Sequence, residues 1–170
     1  SLNVVNSHSV EVLLEKGVKQ ITLSYELSNK DIKDLIEAFT TKYHVKPPLE
    51  MIVYGRQKLM HTRYCPLKRL GLCGNCKLNK YAIKDDYEVF PIMFNEDCTT
   101  NVLNSKILNL IDELDQLKDL KALRLSFTNE TKEETERIVK LFQAKLKGLL
   151  TEKQFDSNLN TRGHYFREIV

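Results

Sequence analysis

Between residues 2 and 55 the chain switches repeatedly between two hydrophobic periods, and this alternation restricts the fold more than any other feature. LNVV (2–5) is a short apolar run. SHSVEVLLEKG follows with a Ser cap, Val10, Leu13 and Leu14 at helical spacing, and a glycine stop. VKQITLS (18–24) is β-branched and alternating. SNKDIKDLIEAFTTKY then offers Ser28 or Asn29 as cap, Asp31 in the first turn, and Ile32, Leu35, Ile36 and Phe39 on one face. After the break at Pro47 and Pro48, Leu49 to Tyr54 reads as a third strand, ended by Gly55. Strands separated by helices of this length pair in parallel through right-handed crossovers, so the pattern predicts βαβαβ in one α/β sheet.

The rhythm then breaks and returns. Residues 56–80 read as a long loop, and residues 81–104 as a hairpin turning at Asp85 and Asp86. Residues 106–119 read as a helix, KALRLSF as a fourth parallel strand, and NETKEETERIVKLFQAKLKG as a helix capped by Asn129 or Thr131 and stopped by Gly148. About four βα units make half of an eight-unit TIM-like barrel. The expected organisation is a partial (β/α) barrel over residues 1–150, with an inserted cysteine loop and hairpin at 56–105. An aperiodic C-terminal arm at 151–170 follows. Half a barrel leaves open edges, and the chain opens on apolar residues without an initiator Met. We therefore expect a piece of a longer polypeptide whose remaining half completes the barrel.

Charge is nearly balanced, 26 basic residues against 23 acidic, a net +3. The distribution says more: Arg56 to Lys84 holds eight Lys or Arg and no acid. Such a stretch is either a solvated basic loop or a surface for an anion or RNA, with Arg63, Lys68, Arg69 and Lys77 as candidate phosphate contacts. TRGHYFRE adds Arg162, His164 and Arg167 among aromatics, a mixture suited to stacking on bases and pairing with phosphates. An arm packed through Tyr165 and Phe166 is the other reading. No run of about 18 apolar residues or secretory signal occurs in the sequence as it stands, which places the expected location in the cytoplasm.

Four cysteines stand at C-x7-C-x2-C-x21-C: Cys65, Cys73, Cys76 and Cys98. They are too few for a disulfide scaffold in a chain of 170 residues, which makes metal or redox chemistry the better reading of clustered thiols. Cys73 and Cys76 form a knuckle in which Gly74 and Asn75 tolerate positive φ. Four thiolates suit tetrahedral zinc or a [4Fe–4S] cluster, and spacing alone does not separate these from buried apolar cysteines beside an ordinary turn. His61 is either a further ligand or a surface histidine.

Ligands of parallel α/β barrels meet residues at the carboxyl ends of strands. There the sequence places Glu26, Arg56 and Arg124, which suit binding an anionic substrate and moving a proton, or else form a structural salt-bridge ring. Glu50, inside the third strand, reads as the partner of an Arg or Lys on a neighbouring strand. GxSxG, HExxH and P-loop motifs do not occur.

These stretches together resemble one family. VKQITLSYELS, LEMIVYGRQKLMHTRYCPL, FPIMF leading to Cys98 and NVLNSKIL, LRLSF with its acidic helix, and TRGHYFR are similar to the collagenase-like peptidases of family U32, nearly end to end. The most specific part is Glu50, then Gly55, Arg56, Leu59 and Met60, then Cys65. The resemblance implies the later half of a barrel domain in a putative protease, a hydrolase of the collagenase-like kind. It equally implies an iron–sulfur enzyme of RNA modification, since some members hydroxylate bases of transfer or ribosomal RNA. The implied cofactor is a [4Fe–4S] cluster on Cys65, Cys73, Cys76 and Cys98, with zinc as the alternative, and prephenate is the implied co-substrate for Arg56 and Arg124. Partners follow accordingly: RNA in the hydroxylase reading, a protein substrate in the peptidase reading. A non-catalytic zinc-binding interaction module is the third reading.

Overall fold

The structure, a computed structural model, describes residues 3–167. Helix α1 (Ser7–Glu15) is capped by Asn6, not by a serine: Asn6 is extended and its side chain accepts the Ser9 N–H at 2.8 Å. Leu2 lies outside the described residues, and residues 3–5 form no strand. The Val4 carbonyl nonetheless accepts the Ser24 N–H at 3.3 Å, which lays this segment alongside the next strand. Strand β1 (Ile21–Thr22) leads to α2 (Asn29–Tyr43), where Ser28 and Asp31 close a reciprocal capping box. The apolar face predicted for α2 is the buried one, Ile32, Leu35, Ile36 and Phe39.

Strand β2 (Leu49–Gly55) is the axis of the molecule. On one edge it pairs in parallel with β1, Ile21 opposite Leu49; on the other it pairs in parallel with the late strand β8 (Ala122–Ser126). The expected parallel neighbourhood of residues 18–24, 49–54 and 121–126 is therefore present. Helix α4 (Lys132–Leu146) follows β8, capped by Thr131 and Glu134 in a second capping box.

Two stretches depart from expectation. Residues 106–119 are not an α-helix: β7 (Ile107–Asn109) runs antiparallel to the end of β2, and a 3₁₀ helix (Ile111–Leu117) follows. The cause is tertiary. β1 reaches only the start of β2, so the edge beyond it needs a partner, and the Leu110 N–H donates to the Val53 carbonyl at 2.9 Å. The apolar spacing Ile111, Leu114, Leu117 survives because three-residue steps also line up on a 3₁₀ helix. Residues 56–80 are likewise not wholly loop. β3 (Lys58–Thr62) pairs antiparallel with β6 (Thr100–Leu103), and a short α3 (Pro66–Arg69) and a 3₁₀ turn (Asn75–Lys77) break up the rest. The predicted hairpin exists as β4 (Tyr81–Lys84) and β5 (Val89–Phe94), its turn held by Asp85, whose carboxylate accepts the Tyr87 and Glu88 N–H groups.

The insertion is thus a second, four-stranded antiparallel sheet in the order β3-β6-β5-β4. The main sheet runs β1-β2-β7-β9 with β8 on β2, where β9 (Asn160–Thr161) brings the arm alongside β7. Among the described residues the architecture is mixed α/β, with two sheets and no closed barrel.

One core fills the helix side of the main sheet, where Leu49, Met51, Val53 and Tyr54 of β2 meet Phe39, Leu114 and Phe142. A bulge after Ile52 keeps Tyr54 on that side, opposite Leu125, with the Phe142 ring 6.0 Å away. The alternate residues, Thr22, Glu50, Ile52, Arg124 and Ser126, are left on the opposite face.

Candidate functional site

Glu50 is only 6 % exposed, and three groups from the two neighbouring strand segments meet its carboxylate. Gln20 Nε2 donates at 2.6 Å, Thr22 Oγ1 at 2.8 Å, and Arg124 Nη2 pairs with it at 2.7 Å. A buried carboxylate is costly unless its lone pairs are filled, and here they are. The pairing expected of Glu50 with a neighbouring strand is present, and Arg124 is the partner. Half of the Arg124 side chain stays exposed, so a fixed cation projects from the sheet.

Gly55, five residues on, has an equally specific cause. Its φ is +135°, and a Cβ there would lie 2.2 Å from the Ser126 carbonyl oxygen. Only glycine lets β2 and β8 close together at this end, which is where the site lies.

Above these strand ends, a cavity of about 550 Å³ opens between the main sheet and the inserted one. Arg56, Arg124 and Lys58 supply positive charge, while Thr22, Ser24, Tyr25, Ser126 and Thr128 supply hydroxyls. Ile52, Met93 and Leu103 add apolar wall. Among the described residues its lining contains no Asp, Glu, His or Cys. Burial pushes the Tyr25 hydroxyl pKa above the ordinary tyrosine value, against the opposing pull of Arg124, so Tyr25 stays a neutral hydrogen-bond donor.

The structure treats the predicted trio unequally. Arg124 faces the cavity on its Glu50 anchor. Arg56 also lines it, but its Nη1 donates to the carbonyls of Asn104, at 2.8 Å, and of Ser105, tying the end of β2 to the turn between β6 and β7. Glu26 is exposed, accepts from Asn3 Nδ2 at 3.1 Å, and is not part of the lining. The acid that meets a cavity cation is Glu50. The sequence counted Lys58 only among the eight basic residues and did not single out Thr128, because nothing in a loop marks which side chains the fold turns toward a cavity.

All four cysteines are free thiols, Cys73 and Cys98 exposed, Cys65 and Cys76 partly so. Register places them beyond one end of the inserted sheet: Thr62 and Phe94 both pair with Thr100, and Tyr81 opens β4 opposite Ile92. Proximity is not coordination, however. Among the described residues no three His, Cys, Asp or Glu stand close enough together to form a group that could hold a metal ion. His61 is engaged elsewhere, Nδ1 lying 2.7 Å from Asn101 Oδ1.

The basic candidates divide the same way. Arg63, Lys68, Arg69, Lys77, His164 and Arg167 are exposed. Arg162 is partly buried: Nε donates to buried Glu113 at 2.6 Å and its guanidinium lies 3.8 Å from the Phe155 ring centre. Of the two rings named in the packed-arm alternative, Tyr165 is buried and Phe166 is exposed.

Among the described residues no helix is long and apolar enough to cross a membrane. No curated protein and no solved structure matches the chain. A family model does, that of Peptidase family U32, over residues 1–167, spanning both sheets, the cavity between them and the cysteine loop. The chain therefore belongs to peptidase family U32.

Proposed function

We propose that this chain carries the anion-binding wall of the active site of an enzyme that hydroxylates a base of transfer or ribosomal RNA, and that the cavity takes a small dicarboxylate co-substrate of the prephenate kind. The observation carrying this is Arg124, held on buried Glu50 and aimed into a cavity that also presents Arg56, Lys58 and five hydroxyl-bearing side chains. Of the three cations in the lining only Arg124 has a carboxylate partner, Glu50, and the positive charge left over favours a ligand with two negative charges. Apolar Ile52, Met93 and Leu103 favour a carbon skeleton between them. Arginine anchored through one edge of its guanidinium still has donors for a carboxylate.

The exposed cations Arg63, Lys68, Arg69 and Lys77 follow β3, whose first residue Lys58 lines the cavity, and supply an RNA-facing surface. Peptide hydrolysis is the runner-up, favoured by the family itself. It is weakened because Glu50, the carboxylate that meets the lining hydroxyl of Thr22, is already engaged by Gln20 and Arg124.

Calorimetric titration tests the reading. A prephenate-like dicarboxylate binds, its monocarboxylate analogue binds more weakly, and Arg124→Gln lowers dicarboxylate affinity about tenfold or more, as expected for a charge-assisted pair. Filter binding of structured RNA shows log K falling with log salt at a slope of about −3 to −4 if roughly four phosphates are met. No dicarboxylate binding, together with gelatin cleavage, would restore the peptidase reading.

A further inference from the structure

The five hydroxyls lining the strand-end cavity are not equivalent. Thr22 Oγ1 donates to Glu50 at 2.8 Å, Thr128 Oγ1 donates to Asn129 Oδ1 at 3.3 Å, and Ser24 Oγ accepts the Glu26 N–H at 3.2 Å. Among the described residues the hydroxyls of Tyr25 and Ser126 have no hydrogen-bond partner, and neither is sealed from solvent. A tyrosine that buries most of its ring ordinarily finds a partner for its hydroxyl, so an open, uncommitted one on a cavity wall is a donor waiting for an acceptor.

Tyr25 is the better placed of the two. It lies three residues beyond the end of β1, and its ring packs against the main core, which fixes where the hydroxyl can go. The hydroxyl and the Arg124 guanidinium share one neighbourhood, since the positive charge of Arg124 opposes the effect of burial on the phenol. Burial wins, so Tyr25 keeps its proton and presents one directed, uncharged donor beside a fixed cation. The two groups therefore ask for different atoms. A carboxylate is drawn to Arg124, with Arg56 and Lys58 also in the wall, whereas an uncharged oxygen next to that carboxylate is matched by the phenol. An oxygen on the α-carbon, ketone or hydroxyl, is such an atom.

We propose that Tyr25 is the specificity-determining residue of this cavity and selects 2-oxo or 2-hydroxy dicarboxylates, donating a hydrogen bond to the ligand's α-oxygen while Arg124 takes the adjacent carboxylate. The assignment rests on the dicarboxylate reading given above and narrows it: charge brings any dicarboxylate in, and Tyr25 ranks them by the oxygen beside the carboxylate. A site with a donor aimed at a ligand oxygen discriminates against the analogue lacking that oxygen, because the donor is then left without a partner.

Calorimetric titration of the full chain with 2-oxoglutarate and with glutarate, which differ only in the α-oxygen, tests this. The unmodified chain should bind 2-oxoglutarate about tenfold more tightly than glutarate. Tyr25→Phe, which keeps the packed ring and removes only the hydroxyl, should bring 2-oxoglutarate down to the affinity of glutarate and leave glutarate where it was. Arg124→Gln should weaken both ligands together. Equal affinities in the unmodified chain would overturn the assignment without any variant being made, and would leave the dicarboxylate reading standing. A Tyr25→Phe chain that loses both ligands equally, or one that keeps the preference while Ser126→Ala abolishes it, would overturn it too. If neither ligand binds the unmodified chain, the dicarboxylate reading fails and the role of Tyr25 falls with it.

Discussion

The two sheets of this protein are built on opposite economies. In the main sheet, β2 is buried at six of seven positions, and its neighbours pack against α1, α2, α4 and the 3₁₀ helix in one continuous core. In the inserted sheet, β3 is exposed at four of five positions, and Leu59, Met60, Tyr64, Leu70 and Leu78 all show more than half their surface. What is buried there is largely polar: Thr99, Thr100 and Asn101. Asn101 joins His61 to Asn95, which binds Thr99, which in turn binds Asp97. Those bonds also hold the Asp97 pKa below the usual carboxylate range, Thr99 being the main cause. The main sheet is stabilised by area removed from water, and the insertion by ladder and side-chain hydrogen bonds of about 1 kcal/mol each. A site between them has one rigid wall and one that opens easily.

The largest expected effect falls on the rigid wall. Gly55→Val places a branched side chain where even a Cβ meets the Ser126 carbonyl, so it should cost more than about 3 kcal/mol and prevent β2 and β8 from pairing. Urea denaturation reads this, and an unchanged midpoint would mean that the close strand approach is wrong. Next comes a matched pair. Leu49→Ala, in the core, should cost about 2–5 kcal/mol, whereas Leu59→Ala, more than half exposed, should stay within about 0.5 kcal/mol. Comparable losses would erase the contrast between the sheets. Hydrogen exchange sharpens it further: β2 amides should exchange only through global unfolding, while β4 amides exchange through local opening.

A smaller effect is expected at the site. Glu50→Ala strands Arg124, Gln20 and Thr22, and because Arg124 is half exposed the cost is discounted to about 1–3 kcal/mol. Dicarboxylate affinity should fall with it, since the cation loses its anchor. If stability drops and affinity does not, Glu50 is structural only.

The smallest effect is a pH signature in the arm. Burial, helped by Glu113, pushes the Tyr165 hydroxyl up to about 12, above its ordinary value near 10. The folded state therefore favours the neutral phenol. Its contribution is intact below about pH 10 and is lost as pH rises from 10 toward 12. Tyr165→Phe should remove this alkaline sensitivity while leaving neutral-pH stability nearly unchanged, because among the described residues the buried hydroxyl has no hydrogen-bond partner to lose. Alkaline unfolding followed by tyrosinate absorbance measures both.

Periodicity, capping residues and turn residues were enough to place α1, α2, β2, the β4–β5 hairpin, β8 and α4, because each signal acts within a few residues of the element it makes. The family resemblance was legible for the same reason, resting on contiguous stretches such as Glu50 to Cys65. Pairing and contact across distance were not legible. Residues 107–109 look helical and are a strand, because an edge of β2 some fifty residues earlier lacks a partner. Arg162 looks like a phosphate contact and is captured by Glu113; Arg56 looks like a substrate group and spends Nη1 on two carbonyls. Glu50 and Gly55 could be singled out as a motif, yet their causes, a cation on β8 and a carbonyl oxygen 2.2 Å from an absent Cβ, exist only once β8 lies beside β2. Local preference is written residue by residue. Which charge meets which, and which wall closes a cavity, is settled by which distant segments share an edge.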